Sequence, residues 1–512
     1  MIPPSAEPSF GGAVPGAEGL GEARRIAVID VGSNSVRMVV YSALSRSPAY
    51  FFNEKVLAGL GSELAATGRL ASAGRRRALA ALGRFARLCT LMRVDDVVAV
   101  ATAAVREAED GDDFVAEVAA RTGLALLVAS GEDEARLAAQ GVLLGWPDAE
   151  GLVADLGGAS LELAPVGGGA VKPGVTLPLG PLRLGGLAGG AGAVDEAVDA
   201  ALGRAADVIG PPGGRLHLVG GAWRALAKLH MARTDYPIQV LHEFEMPAAA
   251  MRGLADGVAR EAPEAIGRTI SASRERLEVI PLAARVLARL IEAAQPVSVA
   301  VSAFGLREGV LWERLPKAMR TEDPLLSAAA EMERRLARFP GFGDELAAWL
   351  APLFPDAPAR RRRLIAAACR LNDVAWTAHP DYRDQAVFET VYRANLSGVG
   401  HGERAWLGAA LRHRYKAGRT KREDVPALAL LSDAERAEAR MLGRAIRLGT
   451  MLSGSAPGVL PHCALRAGRR ELALLLAPDF EALAGEAVAK RLGALAESAG
   501  LAPRLGTLEP AA

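Results

Sequence analysis

Cysteine is scarce in this 512-residue chain: Cys89, Cys369 and Cys463 stand far apart, with no CxxC pair. That excludes a disulfide framework and a thiolate metal centre, and it fits a reducing, cytoplasmic setting. Neither sign of charge prevails. Sixty Lys and Arg against 59 Asp and Glu leave a formal charge of +1, which argues against bulk electrostatic binding of a nucleic acid polymer while leaving room for a local basic channel. No apolar run reaches about 18 residues, so no membrane span is expected. The first stretch, 1–23, lacks the basic start and apolar core of a signal peptide. Its Gly, Pro and small residues predict a disordered tail.

What is present is apolar bulk, half of all residues, in a chain long enough for about three or four domains. Strand and helix patterns alternate from Arg25 to about Pro316, the mark of an α/β architecture. Strands are expected at 25–41, 50–57, 97–101, 124–129, 216–219 and 297–302, with helices at 74–93, 112–121, 194–209 and 278–294. After Pro316 strands vanish and helical patterns run to about Tyr415. From about Asp424 a helix at 433–452 is followed by short strands at 463–466 and 472–476. The expected division is therefore 24–137 and 138–316 as two α/β lobes, 317–423 as a helical domain, and 424–512 as a small α+β module.

The chemistry concentrates at Leu152-Val153-Ala154-Asp155-Leu156-Gly157-Gly158-Ala159-Ser160-Leu161-Glu162-Leu163, a strand, a glycine turn and a second strand. Gly157 and Gly158 carry no Cβ, so a phosphate can approach the backbone closely. The flanking carboxylates, Asp155 and Glu162, suit Mg²⁺ better than Zn²⁺. Ile29-Asp30-Val31-Gly32-Ser33-Asn34-Ser35-Val36-Arg37-Met38 repeats the pattern without a gap: Asp30 matches Asp155, Gly32 matches Gly157 and Ser35 matches Ser160. Two copies suggest a duplicated fold with two lobes facing a cleft. Further along, Val219-Gly220-Gly221 ends a strand and opens a helix, where N–H groups favour an anion.

Together these stretches resemble a known family. The Asp30 motif, Ala101-Thr102-Ala103-Ala104-Val105-Arg106, Ser130-Gly131-Glu132-Asp133-Glu134-Ala135-Arg136, the Asp155 motif, Val219-Gly220-Gly221 and Gly305-Leu306-Arg307-Glu308-Gly309 occur in the order of the exopolyphosphatase / guanosine pentaphosphate phosphohydrolase family. The resemblance implies two ribonuclease-H-like lobes of the actin-like ATPase type around a cleft. The remainder is similar to the extra parts of long family members, a helical HD-like domain and a terminal module. It implies release of orthophosphate from inorganic polyphosphate, or of the terminal phosphate from guanosine pentaphosphate, by a water activated at Glu134. Arg106 would neutralise phosphoryl oxygens. Gly32, Ser33, Asn34, Ser35, Gly157, Gly158, Ser160, Gly220 and Gly221 would bind phosphates, and Asp30, Asp155 and Glu162 would hold Mg²⁺, with a monovalent cation such as K⁺ as a further candidate. A homodimer is implied as well. The chemistry agrees: in-line attack needs an oriented water, a carboxylate to take its proton, and cations over the charged oxygens.

Some residues depart from the family pattern or carry a plainer meaning. Ala159 stands where the family usually has a third glycine. Leu371-Asn372-Asp373 lacks the His of an HD metal site, which predicts a scaffold or polymer-channel role for the helical domain. Glu132, Asp133 and Glu134 also suit a helix start as mere capping acids. Arg360 to Arg363 suit polymer tracking or a solvated face equally. Trp376 and Trp406 are expected in the core, and His379, His401 and His413 as structural residues. Two functions outside this reaction remain in view: a kinase or chaperone on the same lobes, which Glu134 argues against because a kinase must exclude water, and a silent binding protein for polyphosphate or nucleotide.

Overall fold

The computed structural model describes residues 24–416 and 425–508. The expected tail at 1–23 and the expected edge at 423/424 fall outside the described residues. The chain separates into two compact units that meet in sequence at Glu322/Asp323.

In the first unit, β1 (Ile26–Val31), β2 (Ser35–Tyr41), β3 (Tyr50–Leu57), β4 (Asp96–Ala101) and β5 (Leu126–Val128) form a sheet of order β3-β2-β1-β4-β5. β1 to β3 run antiparallel, and β4 and β5 continue parallel to β1. A second sheet repeats this plan with β6 (Gly151–Leu156), β7 (Leu161–Gly167), β8 (Ala170–Val171), β9 (Val175–Leu177), β10 (Arg215–Val219), β11 (Phe244–Pro247) and β12 (Ser298–Val301), in the order β11-β12-β10-β6-β7-β8. β6 pairs antiparallel with β7, and parallel with β10, which pairs parallel with β12. The duplication suggested by the two glycine turns thus extends through both sheets.

Apolar residues face both sides of β1 and β4, as a sheet covered on both faces requires. Ile29, Val31, Met38 and Ala101 pack with Leu82, Phe85 and Cys89 of the helix Ser72–Leu91. Ile26, Val28, Val39 and Val100 pack on the opposite face with Leu137, Val310 and Leu311. Leu137 lies in the helix Gly131–Gly145, and the other two in Leu306–Arg314. The expected lobe edge at 137/138 therefore falls inside one continuous helix. These two helices touch backbone to backbone: a Cβ on Gly141 would lie 2.1 Å from the Gly305 carbonyl oxygen, and one on Gly309 would lie 1.9 Å from that of Leu137. Glycine is required there by space alone. The second lobe buries apolar residues of β6 and β10, such as Ala154, Leu216 and Leu218, with Trp223 and Leu287.

The second unit is mainly helical from Pro324–Leu336 to His401–Tyr415, followed by the helices Asp433–Ser453 and Glu486–Ala499. Cys463–Ala467 and Glu471–Leu476 form a hairpin, and Ala502–Thr507 pairs parallel with the latter. That last strand was not anticipated; its alternating Pro, Arg and Gly carry little apolar pattern. Trp406 is buried as expected, whereas Trp376 is 37% exposed and donates its indole N–H to the Leu336 carbonyl. Arg360 to Arg363 do not form a free basic path. Arg360 pairs with Glu403, Arg361 with Glu438 while lying over the Trp406 ring, and Arg363 with Asp323; Arg362 donates to the Ala357 carbonyl. Among the described residues of the chain, no helix is long and apolar enough to cross a membrane.

Candidate active site

The two repeated turns close in the same way. Gly32 N–H donates to the Ser35 carbonyl at 3.0 Å, and Gly157 N–H to that of Ser160 at 2.9 Å. These two amides are consumed by their turns, so Gly32 and Gly157 contribute shape, while the amides of Ser33, Asn34, Gly158 and Ala159 have no backbone partner among the described residues. A Cβ on Gly158 would come within 3.1 Å of Leu182 Cδ1 and 3.5 Å of Ser33 Cβ, so the two turns approach each other closely. Ala159 has no positive φ, and its carbonyl accepts the Gly180 amide at 3.1 Å. An alanine there costs no backbone strain.

Between the turns lies a cavity of 260 Å³ lined by Asp30, Gly32, Ser33, Asn34, Ser35, Glu134, Asp155, Gly157, Gly158, Ser160, Glu162, Gly220 and Gly221. Every residue expected at the site lines it except Arg106. Gly220 adopts φ +106°, and a Cβ there would meet the Leu156 carbonyl oxygen at 2.5 Å. It caps the 13-residue helix Gly221–Arg233 with no side-chain cap, leaving that N-terminus open toward the cavity.

The acidic helix start separates its residues by direction. Ser130 and Asp133 form a capping box, with Ser130 Oγ donating to Asp133 at 2.7 Å. Glu134, one position later and about 100° round the helix, turns inward and is 7% exposed. Its carboxylate receives the Arg106 guanidinium, which also donates to the Ala129 carbonyl at 2.7 Å. Arg106 therefore grips the acid and is not among the residues that line the cavity. Burial raises Glu134 to about 7; Arg106 opposes the rise, and the Asp155 and Asp30 charges add to it.

Burial also raises Asp30 and lifts Asp155 to about 6. Glu162, 4% exposed, is pushed well up by burial and by the Glu134 and Asp155 charges, although Thr176 donates to it at 2.9 Å. Burial is the first cause of each rise, and neighbouring carboxylates add to it. Yet among the described residues no group of three or more His, Cys, Asp or Glu side chains converges as a metal cage. The expected trio of Asp30, Asp155 and Glu162 shares the cavity without forming a closed ligand set. Such spread oxygen donors fit Mg²⁺, which usually takes one or two carboxylates and keeps waters or substrate phosphates for the rest.

The cations that do line the cavity are Arg37, Lys55, Arg224, Arg276 and Arg307. Sequence reasoning assigned them no role, although Arg37, Arg276 and Arg307 lie inside or beside its motifs. Arg37 donates to Asn53 at 2.8 Å and Arg224 to the Ala303 carbonyl at 2.9 Å. Arg276 lies against the open helix start; a Cβ on Gly221 would collide with its Nη1 at 2.0 Å. Arg307 is 8% exposed, with Nη1 buried and unpartnered among the described residues. Its neighbour Glu308 accepts the Tyr41 hydroxyl at 2.6 Å and the Gly305 amide at 2.9 Å, which seats the start of the helix Leu306–Arg314.

Comparison with known proteins agrees with this architecture. The profile of the Ppx/GppA phosphatase family matches residues 20–318, and that of the exopolyphosphatase C-terminal region matches 325–505. Exopolyphosphatase 1 of Mycobacterium tuberculosis (strain ATCC 25618 / H37Rv) is 32% identical over 163 residues, 31% of this chain and 47% of the relative. Exopolyphosphatase 2 of the same organism is 35% identical over 150 residues, 27% of this chain and 47% of the relative. The chain thus spans about half the length of the curated relatives it matches. A crystal structure of an exopolyphosphatase from Cytophaga hutchinsonii ATCC 33406 shares the fold, with a TM-score of 0.52 and 21% identity, covering 56% of this chain and 97% of that one. With more than half of its length matched by one family profile, the chain belongs to the Ppx/GppA phosphatase family.

Proposed function

We propose that the protein is an exopolyphosphatase that hydrolyses the terminal phosphoanhydride of inorganic polyphosphate. The observation that carries this reading is Glu134: a buried carboxylate raised to about 7, on the wall of a cavity that also holds arginines, open backbone amides and the acids Asp30, Asp155 and Glu162. A base near neutrality is suited to taking a proton from water at working pH.

In this reading the terminal phosphoryl group sits between the Ser33-Asn34 and Gly158-Ala159 amides. Arg37 and Arg307 spread its negative charge, and Arg276 with the helix start at Gly221 receives the next phosphoryl group. Glu134 orients a water in line with the bridging P–O bond and accepts its proton as the new P–O bond forms. The bridging bond breaks, orthophosphate leaves, and the electron pair stays on the shortened chain. Arg106 is a positioning residue that fixes the Glu134 rotamer. Asp30, Asp155 and Glu162 would hold Mg²⁺ together with substrate oxygens, and the ion would supply charge neutralisation at the phosphoryl oxygens. The names of the similar exopolyphosphatases support polyphosphate as substrate. Guanosine pentaphosphate presents the same terminal phosphoanhydride and is the comparison substrate.

Phosphate release from long-chain polyphosphate, guanosine pentaphosphate and ATP, measured for the wild type and for Glu134→Gln, tests the proposal. Polyphosphate is expected to be the best substrate, and the variant to lose about a hundredfold or more. Full activity in Glu134→Gln would overturn the mechanism; release from guanosine pentaphosphate alone would overturn the substrate.

A further inference from the structure

Arg307 enters the cavity from the first turn of the helix Leu306–Arg314. The next residue, Glu308, is 1% exposed, and its carboxylate is held from two directions. Oε2 accepts the Gly305 amide at 2.9 Å, which ties the helix start to the residue before it. Oε1 accepts the Tyr41 hydroxyl at 2.6 Å, from a residue 267 positions earlier at the end of β2. The Tyr50 hydroxyl, at the start of β3, lies 3.4 Å from the same oxygen, too far for a strong bond. Tyr41 and Tyr50 are register partners on neighbouring strands, with ring centroids 5.5 Å apart, and Tyr41 is wholly buried.

The rest of this helix is seated without Glu308. Val310 and Leu311 pack with Ile26, Val28 and Val39, and Arg314 pairs with Asp96 at 2.8 Å. Apolar packing is non-directional, so it keeps the helix on the sheet and leaves the aim of the first turn to directional bonds. That turn has little room. A Cβ on Gly305 would lie 2.6 Å from Val219 Cγ1 and 3.7 Å from Asp155 Oδ2, so its backbone runs beside an acid of the cavity. Arg307 has no anchor at Nη1, which is buried without a hydrogen-bond partner among the described residues. Its place is inherited from the turn that Glu308 pins. Tyr41, Tyr50 and Glu308 are not among the residues that line the cavity, so they reach a substrate only through Arg307.

We propose that Tyr41 and Glu308 are positioning residues for Arg307: the bond between them sets where its guanidinium meets a phosphoryl group. The inference rests on the proposed contact of Arg307 with the terminal phosphoryl group. A hydroxyl donating to a carboxylate at this distance makes a strong, directional bond. Loss of that bond lets the first turn shift, and a misplacement of about 1 Å is enough to spoil an aligned reaction. Tyr50, with its longer contact, contributes far less than Tyr41.

The test is a double-mutant cycle in steady-state phosphate release, run on the full chain well below its melting transition. The substrate is whichever of polyphosphate and guanosine pentaphosphate the wild type hydrolyses. The cycle uses Tyr41→Phe, Arg307→Gln and the two together, with Tyr50→Phe for comparison and thermal unfolding of each. Tyr41→Phe keeps the ring and loses only the hydroxyl. It is expected to lower kcat/KM about tenfold, and Tyr50→Phe less than about twofold. In the Arg307→Gln background the Tyr41→Phe loss is expected to shrink to about twofold or less, because the residue it positions is gone. A merely structural role would lower the active fraction by the same factor in both backgrounds. Glu308→Gln, which keeps the size but has one acceptor oxygen in place of two, repeats the cycle should Tyr41→Phe fold poorly. Full activity in Tyr41→Phe beside a loss in Arg307→Gln, or equal losses in the two backgrounds, would overturn the positioning role and leave the catalytic reading standing. Full activity in Arg307→Gln would overturn the phosphoryl contact and this inference with it.

Discussion

Arg106 places its guanidinium on the Glu134 carboxylate, which lines the cavity, and on the Ala129 carbonyl. The pair sets the protonation of the proposed base. Burial raises Glu134, and Arg106 holds it back. Removing the cation by Arg106→Gln leaves the rise unopposed, so the acidic limb of the kcat/KM profile moves to higher pH. A shift of one pH unit would cost about tenfold in rate at pH 6, with recovery in alkali. A profile that keeps its acidic limb in place would show that Arg106 does not govern Glu134.

Arg224 and Arg276 line the cavity, while Glu134 stands as the base. Arg224→Gln and Arg276→Gln are each expected to raise KM for polyphosphate about tenfold, since a hydrogen bond to a charged group contributes about 1.5–3 kcal/mol. The KM effect is expected to exceed the kcat effect, and steady-state kinetics separates the two. A pure kcat loss would assign these arginines to the transition state instead.

The acids of the cavity do not form a preassembled cage among the described residues. Mg²⁺ is therefore expected to bind the free protein weakly, with Kd of about 1 mM or more, and far more tightly once a phosphate chain supplies its own oxygens. Calorimetry with Mg²⁺ alone, and with Mg²⁺ plus tripolyphosphate on Glu134→Gln, reads the difference. Tight binding of Mg²⁺ to the free protein would contradict it. EDTA is expected to abolish turnover and excess Mg²⁺ to restore it.

At Gly220 both conformation and space forbid a side chain. Gly220→Ala is expected to destabilise the first unit by about 1–3 kcal/mol and to displace the helix start at Gly221, so that activity falls even below the melting transition. Differential scanning calorimetry and phosphate release check the two effects; an unchanged melt would mean the turn relaxes freely.

His217 is fully buried beneath Trp146, its Nε2 3.2 Å from the Glu150 carbonyl oxygen, and burial pushes it down to about 4. Its folded value lies below the ordinary 6.5, so between pH 6.5 and 4 the unfolded chain binds the extra proton. Stability is lost as pH falls through that window, by up to about 3 kcal/mol. Glu134 and Asp155, raised on folding, act in the opposite sense: their contribution is present at low pH and lost as pH rises toward 7. Urea unfolding of the wild type and His217→Leu from pH 7 to 4.5 isolates the histidine. The variant is expected to show the shallower acid loss, and equal slopes would refute the assignment.

Much of the fold was legible because duplication leaves the same residues at the same spacing: Asp30 and Asp155, Gly32 and Gly157, Ser35 and Ser160 occupy equivalent places in the two hairpins. Strand alternation and helix periodicity located the longer elements of the first unit, since burial on one face imposes a period, but not the short strands Ala170–Val171, Val175–Leu177 and Phe244–Pro247 or the helix Ala248–Val258. The strand Ala502–Thr507 escaped notice because it is mostly exposed. Within the site, the sequence marked the acids and glycines, whose backbone and charge requirements are local. Which arginines reach the cavity was not local. Arg37 across from Asp30 on β2, Arg224 past the Gly220 turn, Arg276 on a distant helix and Arg307 beside Glu308 meet only when four separate segments are packed. The same holds for Arg106, which finds Glu134, and for Arg360, Arg361 and Arg363, which find carboxylates. By itself, then, the sequence determined two repeated turns, their acids and the lobes that carry them, through periodicity and the freedom of glycine. Only the tertiary structure decided which cations face the cavity and which are already paired, because a long flexible side chain takes its partner from packing and not from its neighbours in the chain.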